Sequence, residues 1–185
     1  PDHFNKEVLQ WREQRPDIIY IFSKDILRHR RAQKEDAVWL KKGEEYKDET
    51  LSVRAFGSTD VGVSFLLQAS GKKIFHAGDL NNWHWMDEST EAEWKGAEKN
   101  FLHELDDLYA YTPEVDVAMF PVDPRLGKEY MRGAGQFVTK IKTHIFVPMH
   151  FTPEYAKANA FRDFAEAHGV RFVSLTHRGQ KIEIE

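Results

Sequence analysis

Among the many carboxylate and imidazole side chains of this sequence, four have positions that make them candidates to bind a transition metal. Asp2 and His3 are adjacent at the start of the sequence, and Asp79 and His150 each follow an apolar stretch. Because nitrogen ligands favour transition metals, this set suits Zn²⁺ first, with Mn²⁺ or Fe²⁺ as alternatives, better than Ca²⁺ or Mg²⁺. The 185 residues contain no cysteine, which excludes disulfides and thiolate ligands. Any metal bound by this chain would therefore be held by histidine and carboxylate side chains.

The elements that precede Asp79 and His150 are expected to bring them together. Residues 72–77 and 144–147 have the apolar character of buried strands, and ligands collect at the carboxyl ends of such strands in open sheets. Each residue also has an alternative role. Asp79 would equally cap the turn that follows it, His150 would be a neutral histidine before a helix, and Asp2-His3 would be a terminal dipeptide without a role.

The order and placement of these pieces resemble metallo-β-lactamase-fold hydrolases. That family carries H-x-H-x-D-H after an early strand, Gly-Asp after a later strand, and a final His near the C-terminus; residues 1–3, 78–79 and 149–150 are similar to parts of these motifs. The resemblance implies an α/β fold, an αββα sandwich, as a single domain over residues 1–185. It also implies that the domain is N-terminally incomplete, with the H-x-H pair and the first strands upstream.

The resemblance further implies a chemistry and a ligand set. Asp2, His3, Asp79 and His150 would hold metal, and a metal-activated water would attack an ester, lactone or phosphodiester. Pro-Met-His at 148–150 and His-Ala-Gly-Asp at 76–79 look most like the branch that contains ascorbate-phosphate lactonases. The alternative is a non-catalytic binding module on the same fold that holds one metal or none.

The sequence departs from the family pattern between residues 29 and 76, where an isolated histidine is expected and none occurs. Gly57-Ser58-Thr59-Asp60 occupies the expected place. Asp60 either replaces the histidine as a carboxylate ligand or is an ordinary turn residue.

The loop after Asp79 contains Trp83, His84 and Trp85. At the rim of a metal site the tryptophans would pack on substrate, and His84 would donate a proton or act as a further ligand. The predicted catalytic set is therefore Asp2, Asp79 and His84. The alternative is an aromatic loop folded onto the core. Asp123-Pro124-Arg125 follows another strand and would reach the same rim, where Arg125 is a candidate to hold an anion. His76 is expected to be a buried histidine that supports the ligands or packs in the core rather than binding metal.

Composition limits the partners. The net charge of −4, without a basic stripe, gives no indication of nucleic-acid binding, and no apolar stretch reaches membrane-spanning length. These features favour a cytoplasmic protein with a small-molecule substrate and leave a homo-oligomer open. Apolar spacing predicts a helix from Phe4, strands at 18–22, 37–40, 51–56, 61–67 and 115–122, and helices after Thr90, Met131 and Pro153. Strands at 171–174 and 181–184 are expected to close the domain.

Overall fold

The computed structural model describes residues 4–183 and contains a mixed α/β fold. Its strands are β1 (Ile21–Ser23), β2 (Val38–Leu40), β3 (Glu45–Lys47), β4 (Leu51–Phe56), β5 (Ser64–Ala69), β6 (Lys72–His76), β7 (Glu114–Pro121), β8 (Lys142–Met149) and β9 (Arg171–Phe172). Its α-helices are α1 (Lys24–Arg28), α2 (Glu91–Tyr111), α3 (Arg132–Lys140), α4 (Tyr155–Asn159) and α5 (Arg162–Ala167). Shorter 3₁₀ helices occupy Lys6–Glu13, Lys34–Asp36 and Pro124–Glu129.

Strands β3 to β9 form one sheet in sequence order, while β1 and β2 pair with each other in parallel. The sheet is antiparallel from β3 to β6 and parallel from β6 to β9. Short turns join β3 to β4 and β5 to β6, and a loop over residues 57–63 joins β4 to β5. The parallel pairs need longer crossover connections, which are helical here. Helix α2 connects β6 to β7, and α3 connects β7 to β8.

The main core lies between the sheet and the helices. Its fully buried side chains include Phe75, Phe120 and Phe146 from the strands and Phe101 and Phe137 from the helices. Phe120 is in ring contact with Phe137, at a centroid distance of 4.6 Å. These contacts fix the positions of the adjacent parallel strands β6, β7 and β8.

A second apolar cluster lies against the two-stranded sheet. Leu40 of β2 is buried with Val53 and Ala55 of β4, and Ile21 and Phe65 pack against them. The layers therefore run in the order helices, large sheet, small sheet. This arrangement confirms the α/β prediction.

Helix α2 begins where the sequence predicts. Thr90 accepts a hydrogen bond from Glu93 N, and the Glu93 carboxylate accepts one from Thr90 N at 2.8 Å, which is a capping box. Phe101, Leu105 and Leu108 then lie on one buried face.

Several predicted elements differ from the structure. The first helix is 3₁₀, and the strand predicted at 61–67 begins at residue 64, since Gly62 has φ 107° and belongs to a turn. The helix after Pro153 is split into α4 and α5. Residues 173–174 and 181–183 form no strand, and residue 184 lies outside the described residues. Within residues 4–183, no helix is both long and apolar enough to cross a membrane.

Candidate metal centre

Three polar side chains meet at one edge of the sheet. Asp79 follows β6, Asp123 follows β7 and His150 follows β8. These three strands are adjacent and parallel, so their carboxyl ends share an edge. The pairing extends past the strands, because Ala77 N donates to Met119 O and Val122 N donates to Met149 O. The fold thus places three separate loops around one point.

His150 lies between the two aspartates. Its Nδ1 is 2.9 Å from Asp123 Oδ2, and its Nε2 is 3.5 Å from Asp79 Oδ1. Its φ of 65° lies in the left-handed region, which costs a non-glycine residue about 1–3 kcal/mol and is common at functional sites. Hydrogen bonds with Asp123 and then Asp79 raise the pKa of the His150 imidazole to about 9, despite partial burial. The site is therefore suited to hold positive charge between two carboxylates.

Asp123 orients the histidine. Its side chain is 1% exposed and accepts hydrogen bonds from Arg125 Nε at 3.0 Å and from Arg125 Nη2 at 2.6 Å. Burial opposes ionisation of Asp123, but the hydrogen bonds from His150 and Arg125 outweigh it and hold the pKa of this carboxyl well below its usual range. Asp123 is thus a carboxylate that binds Nδ1 and leaves Nε2 directed at Asp79.

The backbone around Asp79 is held from two sides. Its carbonyl accepts a hydrogen bond from Trp83 Nε1 at 2.8 Å. Thr59 Oγ1, from the loop between β4 and β5, accepts from Asn81 N at 2.9 Å and donates to Asn81 O at 2.6 Å. Gly78 has φ 57°, and a Cβ there would lie 2.8 Å from Val63 O, so only glycine fits before Asp79.

The chemistry of these groups fits a transition metal. Metal-bound histidines usually donate their other ring N–H to a carboxylate, which fixes the tautomer and raises the basicity of the ligand. His150 with Asp123 has this arrangement, and the Asp79 carboxylate faces the remaining ring nitrogen. Among residues 4–183, no three His, Asp or Glu side chains are grouped closely enough to hold an ion by themselves. The described residues therefore offer one candidate ligand pair, Asp79 and His150, with Asp123 supporting the histidine.

A cavity of about 1690 Å³ opens in front of this pair. Asp79, His150 and Arg125 line it, and so do Phe22 of β1 and Ile26 of α1. Ligand sites of this kind combine a few convergent polar groups with apolar walls.

The other predicted site residues are placed differently. Asp2 and His3 lie outside the described residues. Asp60 lines the cavity but is exposed, and its Oδ1 accepts a hydrogen bond from Val61 N at 2.7 Å, as turn residues do. His84 is 1% exposed and does not line the cavity. The structure thus brings together Asp79 and His150, places Asp60 elsewhere on the wall, and does not bring His84 to them.

His84 is engaged on both ring nitrogens. Nε2 is 3.1 Å from Glu129 O, and Nδ1 accepts a hydrogen bond from Met86 N at 3.1 Å. His76 lies at the cavity but is exposed rather than buried, and its Nδ1 accepts a hydrogen bond from Gly78 N at 3.0 Å. Arg125 lies at the rim, as expected, but its guanidinium is paired with Asp123.

The sequence places Asp123 with Arg125 after a strand and towards the same rim, but indicates no role for it in the site. In Asp-Pro-Arg it resembles a helix cap, and it does accept a hydrogen bond from Arg125 N at 3.0 Å. The available signal was its position after an apolar strand, which is the same position that singled out Asp79 and His150.

Comparison with known proteins identifies the fold. No protein-family model matches the chain, and no curated protein matches its sequence. A protein from Parabacteroides distasonis assigned as a metal-dependent hydrolase is similar in structure, with a TM-score of 0.63 at 16% identity over 93% of this chain and 70% of that chain. The metallo-β-lactamase-fold protein YhfI from Bacillus subtilis has a TM-score of 0.51 at 8% identity, covering 91% of this chain and 68% of YhfI. The β-hydroxylase CmlA of Streptomyces venezuelae has a TM-score of 0.52 at 12% identity, covering 80% of this chain and 34% of CmlA. At these identities the likeness shows the fold, which is metallo-β-lactamase-like.

Proposed function

We propose that this protein is a metal-dependent hydrolase that uses a metal-activated water. The observation that carries the proposal is the position of His150, with one ring nitrogen 2.9 Å from Asp123 and the other 3.5 Å from Asp79. A helix-capping or solvated histidine does not require two carboxylates at opposite ring nitrogens. A histidine that ligates a metal through one ring nitrogen commonly has a carboxylate at the other ring nitrogen.

In this proposal Asp79 and His150 hold the metal, and Asp2 and His3 are the further ligands. Zn²⁺ is the first candidate, followed by Mn²⁺ and Fe²⁺, because the set is mixed nitrogen and oxygen. A bound metal of this kind lowers the pKa of its water to about 7, which generates a nucleophile without any protein nucleophile. Asp60 remains a candidate ligand for a second ion.

Asp123, Arg125 and His84 hold the candidate ligands and their loops in position. Asp123 fixes the His150 tautomer, and Arg125 holds Asp123 in place through its ion pair at 2.6 Å, on the side of the ring away from Nε2. His84 is better suited to hold its loop in place than to donate a proton, because both of its nitrogens are engaged by backbone groups.

The proposed substrates are small esters, lactones or phosphodiesters. Metal-activated water attacks carbonyl carbon and phosphorus alike, so the chemistry alone does not separate them. The similarity of residues 76–79 and 148–150 to the ascorbate-phosphate lactonase branch makes lactones and phosphorylated compounds the first to test.

The second candidate function is a non-catalytic binding module. It is favoured by Asp60, whose carboxylate is engaged within its own turn where the family pattern has a histidine. A module of this kind would hold a single metal or none and would turn over no substrate.

The test is hydrolysis of an aryl ester, a lactone and a phosphodiester by protein stripped of metal and then reloaded with Zn²⁺, Mn²⁺ or Fe²⁺. We expect turnover that requires metal and is abolished by Asp79→Ala, with the fold retained. Asp106→Asn is the control, because Asp106 is 62% exposed on α2 and paired with Lys140, away from the site. Metal uptake without turnover of any substrate would support the binding module instead.

A further inference from the structure

The loop that follows Asp79 presents two tryptophan rings to the cavity. Trp83 and Trp85 are partly exposed and both line the cavity. Their ring centroids are 6.4 Å apart with an interplanar angle of 16°, so the rings are nearly parallel. Trp83 also meets the His150 ring edge-on, at a centroid distance of 5.3 Å. The aromatic surface is therefore continuous with the candidate metal centre.

These two rings are not part of the apolar core. The phenylalanines of the main core are fully buried, whereas Trp83 and Trp85 pack against none of the apolar clusters found within residues 4–183. Large aromatic side chains normally gain most by burial. A ligand that covers the exposed faces of Trp83 and Trp85 would therefore gain the free energy of burying this aromatic surface.

The pair is also held rigidly. Trp83 Nε1 donates to Asp79 O at 2.8 Å, which ties the first ring to the backbone of the ligand loop. Trp85 has φ 43°, a left-handed conformation that a bulky residue adopts only when its surroundings impose it. The buried His84 lies between them in sequence and bonds the backbone on both ring nitrogens. An aromatic surface fixed in advance loses little conformational entropy on binding.

We propose that Trp83 and Trp85 form a subsite for a planar, apolar group of the substrate, such as an aryl ring attached to the hydrolysed ester or phosphodiester. Offset stacking of a ring on an indole adds attraction beyond area burial alone. Placement beside His150 would put the scissile bond of such a substrate at Asp79 and His150. The claim that the planar group belongs to the substrate rests on the proposed function. The claim that Trp83 and Trp85 bind a planar group does not.

The experiment is therefore a binding measurement that needs no turnover. Metal-free protein is titrated with 2-naphthoate and, for comparison, with decalin-2-carboxylate, which has the same charge and carbon skeleton without the π-system. The five tryptophan indole N–H signals are followed by NMR. We expect the Trp83 and Trp85 signals to shift with naphthoate, and naphthoate to bind about tenfold more tightly than its saturated counterpart, equivalent to about 1.4 kcal/mol.

Substitutions test the assignment. Trp83→Leu and Trp85→Leu should each remove most of the preference for naphthoate, and Trp85→Phe should retain part of it. Trp11→Leu is the matched control, because Trp11 is 56% exposed and does not line the cavity. The remaining indole signals report in the same spectra whether each variant is folded.

Equal affinity for the two acids, or an unchanged preference in a folded Trp85→Leu variant, would overturn the subsite. Naphthoate binding at the tryptophans together with no hydrolysis of any substrate would leave the subsite in place and refute the hydrolase. Turnover that is equally fast for aryl and alkyl esters would support the hydrolase and refute the subsite as a determinant of substrate choice.

Discussion

Replacing Asp123 by asparagine removes the charge of this side chain while keeping its shape. Asp123 is 1% exposed, so a change of volume would also disturb packing. The asparagine amide would present an N–H group where the carboxylate accepts from both Arg125 and His150. One of these donors must then face another donor. The substitution therefore tests whether the carboxylate, rather than mere occupancy, orients His150.

The expected magnitude follows from the exposure of the two partners. Arg125 is 63% exposed, so its ion pair with Asp123 is screened and contributes about 1 kcal/mol at most. His150 is 20% exposed, and a hydrogen bond of this kind to a charged group contributes about 1.5–3 kcal/mol. We expect the metal-free variant to lose about 2–3 kcal/mol of unfolding free energy at neutral pH. Loss of the carboxylate that supports a ligating histidine should lower metal affinity about 10- to 100-fold.

Competition with a chromophoric chelator measures the metal affinity, and urea unfolding in the presence of a chelator measures the stability. Asp106→Asn makes the same chemical change at an exposed position and should alter neither. An Asp123→Asn protein that is destabilised but binds metal as tightly as the native protein would refute the reasoning, because Asp123 would then be a structural residue only.

Other predictions concern pH, packing and the buried ring. The pKa of His150 is raised from 6.5 to about 9, so the protonated imidazole stabilises the metal-free protein. This stabilisation is fully present below pH 6.5 and is lost as the pH rises towards 9. Urea unfolding should show the free energy of unfolding falling by about 3 kcal/mol over this range, and no such fall in His150→Gln. Gly133→Ala should destabilise by about 1–3 kcal/mol, because its Cβ would lie 2.0 Å from Asn81 Oδ1. Gly96→Ala, with no atom within 4 Å, should instead stabilise by up to about 1 kcal/mol, as measured by the same unfolding assay. His84→Ala should cost about 2–3 kcal/mol by leaving two backbone groups unpaired, and an unchanged melting curve would contradict this.

The sequence predicts the elements whose signals are local. The capping box at Thr90 and Glu93 begins α2 at the expected residue, and the apolar stretches before Asp79 and His150 are strands. By contrast β3 is short and largely exposed, and it exists only because it pairs with β4. Edge strands of this kind have no apolar pattern of their own.

The sequence likewise predicts some of the site residues and not others. That Asp79 and His150 share an edge follows from their positions after parallel strands. The role of Asp123 depends on β7 lying between β6 and β8, which is a property of the sheet order and not of nearby residues. Likewise the sequence identifies the Trp-His-Trp loop as unusual, but the direction of the His84 ring is decided by a backbone carbonyl 45 residues away.

Anomalous diffraction from crystals grown with Zn²⁺ would locate a bound metal directly. We expect a peak about 2.0–2.2 Å from both His150 Nε2 and a carboxylate oxygen of Asp79, with Asp123 remaining on Nδ1. Crystals with zinc in the buffer but no peak at Asp79 and His150, or a peak bound only to surface residues, would contradict this expectation.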